Sequence, residues 1–592
     1  MSRFLDKLSR TPGLITPFDK EFNEAPEYTI IQEIRVPPSE PQQLWDNIDQ
    51  PSVRLAGATD LRVLDGGVIP GINLLSLEPV HPAGASHGFA DTSTASPTYI
   101  DDLRESIPPE RVLTLGNGDT YVPLALTSNL LYARKAPGAV VVPENEQHIR
   151  VAIECAKQHK IPLTVQGGGH SYAGYALNHK GILIDMRDFK KIHVDLQEKT
   201  VTIGAGCRWI EVYNHFKDKG YKQMVLGGKC RGVGVSGYIL GGGISPFSRG
   251  YGLGIDNVTE MKIVTASGKF VTVPGESEDA NTKSKLDNLF WALRGGGGGN
   301  FGILTEFTTK IHDLADPGGE VIYGSLTWEL NLPGRQKDFE TVIQIINSKT
   351  WTDKITIDII WQDKGKDPAG QLMVMYDGSM GDYQKEIAEF SHLISDSRVQ
   401  KCSWQDVAVI EQGWYAESPA FHHHTSFVLK QGQLTRKFVK KIGSLMEETR
   451  NKLSVYDPDG KAYLIWVHIG EETAVLEAND TAFPWRDAAY VGYFKLQWYK
   501  GGIMDKMVEL VKEAKMKLLP STMGEVAYVN FVDRTIPNWQ RAYYGDNYER
   551  LQKVKEEWDP EDFFKFEQSI ELPKKIGESP CWIVCGVLTI LL

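Results

Sequence analysis

Apolar periodicity is absent from the first part of this 592-residue chain and begins abruptly near residue 137. Residues 1 to about 120 are rich in Pro, Gly, Ser and Thr with few periodic runs, and 79–97 reads as loop. The apolar run 137–143, bounded by prolines, predicts a buried strand. Ile149, Ala152, Ile153 and Ala156 then fall on one face of a helix. Short strands are predicted at 161–165, 182–184 and 201–203. A helix with Trp209, Ile210, Tyr213 and Phe216 on one face stops at Gly220, which suits a C-terminal glycine cap. A hairpin over 258–273 turns at 266–269. From about 312 the pattern changes to alternating segments, such as 321–328 and 354–361, that predict a broader sheet. Amphipathic helices such as 438–451 intervene, and the last patterned block, 525–569, is rich in aromatic residues. No internal repeat is visible.

Composition narrows the class. With 41% hydrophobic and 24% charged residues the chain matches soluble globular proteins, which excludes a disordered, collagenous or coiled-coil molecule. A net charge of −12 provides no electrostatic footprint for nucleic acid or for anionic membranes. Six cysteines are too few for a disulfide scaffold. The N-terminus is charged and lacks an apolar h-region, so a cytoplasmic protein is expected. Residues 581–592 are nearly all apolar but too short to span a bilayer, and read as a packed or frayed tail carrying Cys581 and Cys585. Glycine is the outlier: 57 residues, well above the usual ~7%.

Much of that excess sits in three runs. The first, Gly167-Gly168-Gly169-His170-Ser171-Tyr172, follows a predicted strand directly. Consecutive glycines let backbone N–H groups converge on an anion such as a pyrophosphate. The run is neither a Walker A loop nor a G-x-G-x-x-G fingerprint. The same residues would also make a tight turn with a surface histidine. The second run, 227–243, holds Cys230 between Lys229 and Arg231, two cations that favour a thiolate. A buried structural cysteine fits the spacing equally well. The third run, 295–302, follows a helical pattern at 286–293.

In this order, the Gly-Gly-His-Ser-Tyr motif at 168–172 and the Cys-x-x-Val-Gly-Val-x-Gly motif at 230–237, followed by Gly241-Gly242-Gly243, resemble one family. It is the berberine bridge enzyme-like family of the vanillyl-alcohol oxidase / p-cresol methylhydroxylase superfamily, which includes glucooligosaccharide oxidase. Tyr528-Val529-Asn530-Phe531, the Tyr543 to Leu551 block and the Trp558 to Gln568 block are similar to the family's closing segments. The resemblance covers about 134–572. It implies an α+β fold: a two-subdomain FAD-binding PCMH-type domain over 121–312, completed by 525–572, and a substrate domain over 313–524 with an antiparallel sheet covered by helices. Residues 1–120 remain an atypical extension and 573–592 a tail.

The resemblance further implies bicovalent FAD, bonded through His170 and Cys230. Both are nucleophiles suited to the electron-poor flavin ring. The pyrophosphate would lie on Gly167, Gly168, Gly169, His170 and Ser171. Gly237, Gly242, Gly243, Asp256, Asn257, Val258 and Val264 would line the rest, with Asn547 closing over the flavin. On the substrate side the family's Lys-x-Gln matches Lys495 and Gln497, preceded by Phe483-Pro484-Trp485-Arg486. Tyr528 matches a tyrosine proposed as general base, with a lysine nearby favouring its anion. Tyr172 matches the aromatic residue after the flavinylated histidine, and Tyr238 joins the expected pocket. Val233 matches a gatekeeper position where valine leaves a path for dioxygen. Ile244 departs from the pattern, since many relatives carry an aromatic residue there.

The expectation is an oxidase that transfers a hydride from a secondary-metabolite alcohol or amine, or a sugar, to FAD, reducing dioxygen to hydrogen peroxide. An oxidative or non-redox cyclase and a non-catalytic flavin-binding protein are the rival readings. Its partners would be a small-molecule substrate and dioxygen, with no nucleic acid and no membrane. His422-His423-His424 is not read as a metal site, because alternate residues of a strand point to opposite faces.

Overall fold

The computed structural model describes residues 98–574 except 126–128, 134, 365–366 and 409–419. The chain up to residue 97 and residues 575–592, with the apolar tail 581–592 and its Cys581 and Cys585, lie outside the described residues. Among the described residues, the strands form three sheets. No helix of these residues is long and apolar enough to cross a membrane.

The first sheet contains β1 (Val112–Leu113), β2 (Ala139–Val141), β3 (Leu163–Gln166) and β4 (Ile182–Asp185), in the order β1-β2-β4-β3. β2 and β3 run parallel to β4, and the central pair β2 and β4 is buried along its whole length, so it reads as apolar runs rather than alternating ones. The crossover helix Glu146–His159 starts at Asn145, whose Oδ1 accepts from the His148 N–H at 3.1 Å. It buries Ile149, Ala152, Ile153 and Ala156, the predicted face. Residues 98–113, read from sequence as part of the extension, supply a helix (Tyr99–Ser106) capped by Thr98 and the edge strand β1. Thr98 and Asp101 form a reciprocal capping box that 3.6-residue periodicity does not reveal.

The second sheet is antiparallel, in the order β5-β6-β10-β8-β9, with β7 also paired to β10. Its strands are β5 (Ile192–Asp195), β6 (Thr200–Gly204), β7 (Met224–Val225), β8 (Val258–Thr265), β9 (Phe270–Val273) and β10 (Gly302–His312). β8 and β9 are the predicted hairpin. The helix Trp209–Lys219 ends at Gly220, whose φ of 72° is the left-handed cap conformation.

The third sheet has seven antiparallel strands in the order β14-β11-β13-β12-β16-β17-β15. They are β11 (Glu320–Glu329), β12 (Ile355–Lys364), β13 (Asp367–Tyr376), β14 (Asp396–Ser403), β15 (Phe421–Leu429), β16 (Lys461–His468) and β17 (Tyr490–Trp498). Period-2 alternation gives this sheet two different faces. Ile357, Ile359, Leu372, Val374, Leu464, Phe494 and Leu496 pack under the helices Arg335–Ser348, Arg436–Tyr456 and Met504–Leu518. The other face presents Ile360, Met373, Ile465, Val467 and Tyr493 to the core shared with the first two sheets. The expected antiparallel sheet covered by helices is therefore present, and the fold is α+β.

Two buried arginines fasten residues 249–256 to the third sheet and to the loop before β17. Arg249 donates to the carbonyls of Ile355 at 2.7 Å and Ile469 at 3.1 Å. Arg486 grips Asp256 through two bonds of 2.8 Å, the bidentate geometry that a guanidinium favours. The returning C-terminal segment is locked by Lys555, a fully buried ammonium. It donates to Asn300 O, Phe564 O and Asp559 Oδ2 at 2.7–3.0 Å, satisfying all three of its protons.

Candidate active site

A cavity of about 440 Å³ lies where the first and second sheets, the free face of the third and the segment 528–532 converge. That volume is in the range of small-molecule and cofactor sites. Its wall draws on all three glycine runs.

The first run leaves the C-terminal end of β3. Gln166 anchors that end by donating to Asp185 Oδ2 and Leu124 O, both at 3.3 Å. Gly167, Gly168, Gly169, His170, Ser171 and Tyr172 follow along the wall. Ser171 Oγ accepts from the Tyr175 N–H at 3.1 Å and closes the turn behind His170. The second run contributes 228–234, Ser236, Gly237 and Tyr238, including Cys230 and Val233. The two loops touch through backbone: a Cβ on Gly168 would lie 2.3 Å from Gly234 N and 2.9 Å from Gly232 O. Only a pair of glycines permits this approach, and it brings the loops of His170 and Cys230 together. The third run contributes Gly297, Gly298 and Gly299.

These residues fit a flat ring cofactor. A Cβ on Gly237 would meet nothing within 4 Å, although the residue lies in the cavity wall. Bare backbone thus faces open space beside two nucleophilic side chains, His170 and Cys230. Among the four cysteines of the described residues, Cys230 alone is exposed. Burial pushes the thiols of Cys155 up to about 11 and of Cys207 and Cys402 up to about 12, so those three stay protonated and inert. Lys229, read from sequence as a cation acting on Cys230, forms an ion pair with Asp358 of β12. Asp358 also accepts from the His468 N–H at 2.9 Å.

The rest of the lining is aromatic and apolar: Ile244, Ile465, Val467, Tyr493, Tyr528 and Phe531, beside Tyr172 and Tyr238 of the glycine loops. Tyr238 packs edge-on against Trp209 at 4.9 Å. The Tyr528 hydroxyl accepts from Gly243 N–H and Asn530 Nδ2, both at 3.1 Å. Burial raises its phenol well above the ordinary value, and these donors pull in the opposite direction.

Lys495 and Gln497 share the Tyr493 face of β17, yet neither is part of the described cavity wall. Lys495 Nζ lies 5.4 Å from the ring centres of Tyr172 and of Tyr463, and Gln497 donates to the Tyr499 hydroxyl at 2.6 Å. His422 and His424 flank Tyr172, with ring centres 6.5 and 4.9 Å away, and His423 points to the other side of β15.

Several residues expected at the cofactor stand outside that wall. Gly242 and Gly243 lie against Tyr528 instead. Asp256 holds Arg486, and Asn257 donates to Tyr251 O at 2.8 Å and Leu253 O at 3.0 Å. Val258 and Val264 are buried in β8. Asn547 donates to Ala478 O at 2.7 Å and Thr481 O at 3.2 Å, tying down the loop before Phe483.

Asp358 and Asn530 are cavity residues to which sequence reasoning assigned no role. The signal for Asp358 was a carboxylate at an inward position of an apolar strand, where an unpaired charge is costly. Asn530 lies two residues from Tyr528 in a turn closed by the Phe531 N–H donating to Tyr528 O at 2.9 Å.

Comparison with known proteins agrees with this geometry. A model described as an FAD binding domain matches residues 137–274, and one described as "Berberine and berberine like" matches 527–571. The chain is 30% identical over 460 residues to the uncharacterized FAD-linked oxidoreductase YgaK of Bacillus subtilis, covering 75% of this chain and 94% of the relative. It is 26% identical over 474 residues to the monolignol oxidoreductase AtBBE-like 13 of Arabidopsis thaliana, covering 74% and 85% of the two chains. It is 26% identical over 481 residues to the tetrahydroberberine oxidase of Argemone mexicana, covering 73% and 82%. In fold it is similar to Physcomitrella patens BBE-like 1 (TM-score 0.69, 24% identity, 81% of this chain and 100% of the other). It is also similar to Phl p 4, a grass pollen allergen with glucose dehydrogenase activity (TM-score 0.67, 22% identity, 81% and 100%).

Proposed function

Because the chain belongs to the berberine bridge enzyme-like FAD-linked oxidoreductases, we propose that it is an oxidase acting on a small alcohol or amine, or a sugar. The carrying observation is the position of Tyr528 in the same cavity wall as His170, Cys230 and bare Gly237. His170 and Cys230 would hold the flavin covalently, with the glycine loops accepting its flat face and its phosphates. When bound, FAD supplies the two-electron acceptor and passes the electrons to dioxygen, which becomes hydrogen peroxide. Tyr528, ionised to its phenolate, takes the proton of the substrate hydroxyl or amine and becomes the phenol while the adjacent carbon loses its hydride, so a C–O or C–N single bond becomes double. Tyr172, Tyr238, Tyr493 and Phe531 orient an apolar or aromatic substrate and exclude water. Val233 in the wall supports the use of dioxygen.

Ile244 in that wall, where relatives carry an aromatic residue, favours a cyclase as the second reading. One experiment separates them. Purified holoenzyme is offered alcohols, amines and sugars with and without dioxygen, while flavin absorbance and peroxide are followed. The oxidase reading expects flavin bleaching without dioxygen and stoichiometric peroxide with it. Product formed with neither bleaching nor peroxide overturns it in favour of the cyclase.

A further inference from the structure

The oxygen of Tyr528 is surrounded by N–H donors. Gly243 N–H and Asn530 Nδ2 each lie 3.1 Å away. The Gly243 amide can turn to the phenol because φ is +144° at Gly242 and +76° at Gly243, a turn that side chains resist. A Cβ on Gly242 would press on the phenol at 3.0 Å.

Asn530 is fixed in one orientation. Its Nδ2 also donates to Tyr238 O at 3.1 Å, so a flipped amide would set Oδ1 against a carbonyl oxygen. Gly241 packs on the same amide, where a Cβ would stand 2.1 Å from Oδ1. Both Nδ2 hydrogens are thereby committed, one of them to Tyr528. Lys495 Nζ, in contrast, lies over the rings of Tyr172 and Tyr463.

We infer that this amide nest prepares Tyr528 to accept the substrate proton, with Asn530 as the positioning residue whose donor stabilises the phenolate that takes it. The inference rests on the reading of Tyr528 as the base. Hydrogen bonds from fixed donors favour the anion over the phenol, and two of them leave the phenolate oxygen a third lone pair for the substrate proton. Gly242 and Gly243 then serve the tyrosine.

The decisive variant is Asn530→Asp, which keeps the shape and replaces the donor by an acceptor. Anaerobic flavin reduction is measured against pH in the holoenzyme for wild type, Asn530→Asp, Asn530→Ser and Tyr528→Phe. The inference expects the wild-type rate to rise with pH. Asn530→Asp should give a parallel line at least about tenfold lower, with FAD content and substrate affinity unchanged. Asn530→Ser, a donor of shorter reach, should fall between them. As an independent readout, the Tyr528-dependent phenolate band in the near ultraviolet should require higher pH in Asn530→Asp than in wild type. This measurement needs no turnover and decides the matter where a variant fails to retain FAD. Asn530→Asp on the wild-type line, or a phenolate band that titrates as in wild type, overturns the nest while Tyr528→Phe still loses the pH dependence. Tyr528→Phe with wild-type rates overturns the base assignment itself, and the nest with it.

Discussion

Substituting Gly168 by alanine isolates the contact that joins the two nucleophile loops. Gly168 has no positive φ, so an alanine there meets steric resistance and no backbone strain. Its methyl group would lie 2.3 Å from Gly234 N, 2.7 Å from Gly234 Cα and 2.9 Å from Gly232 O, all backbone atoms that cannot rotate away. Ordinary contact requires another ~1 Å, so the loops must part by that much. Overpacking of this kind costs about 1–3 kcal/mol. The functional consequence is larger, because a ~1 Å misplacement of reacting groups costs about a hundredfold in rate. Gly237→Ala is the matched control: it has no neighbour within 4 Å and lies inside a helix, where alanine is favoured by ~1 kcal/mol. The assay pairs urea unfolding of apoprotein with the yellow colour retained after acid precipitation. Gly168→Ala should lose both stability and covalent flavin. Gly237→Ala should hold or gain stability yet lose flavin, because its methyl projects into the cavity. Wild-type stability and flavin content in Gly168→Ala would refute the close-approach argument.

Three further outcomes are expected. In apoprotein, an alkylating probe should modify Cys230 well before Cys155, Cys207 or Cys402, as read by peptide mass spectrometry, and covalent flavin should block it. Asp358→Ala leaves the Lys229 ammonium without its carboxylate at a site only 15% exposed and should cost about 3 kcal/mol in denaturant unfolding. Lys229→Met combined with Asp358→Leu should recover most of that loss. Burial holds the imidazoles of His312 and His423 down at about 4, against an ordinary 6.5. The unfolded chain therefore binds more protons between these values, and stability falls as pH drops through that window, by about 2 kcal/mol per histidine at pH 5. His423→Asn should flatten that slope in pH-dependent melts, and an unchanged slope would contradict the assignment.

Local periodicity and glycine content alone determined a good deal about this protein. They located β2, β3 and β4 of the first sheet, the helix Glu146–His159, the hairpin of β8 and β9, and the two runs that carry His170 and Cys230. Those features rest on interactions between near neighbours in sequence, which a single chain displays. The capped helix at Tyr99–Ser106 escaped notice because its start is marked by a capping box and not by an apolar stripe. The chemistry of the site was decided elsewhere. Tyr528 and Gly243 are 285 positions apart, and Lys229 meets a carboxylate from a strand of another sheet. Arg486 meets Asp256 across 230 positions. Gly242 and Gly243 look like cofactor glycines in sequence, and only the returning segment 528–532 turns them toward a phenol. A hydrogen bond or ion pair forms wherever the packed layers bring donor and acceptor together, and no periodicity along the chain records which partner that will be.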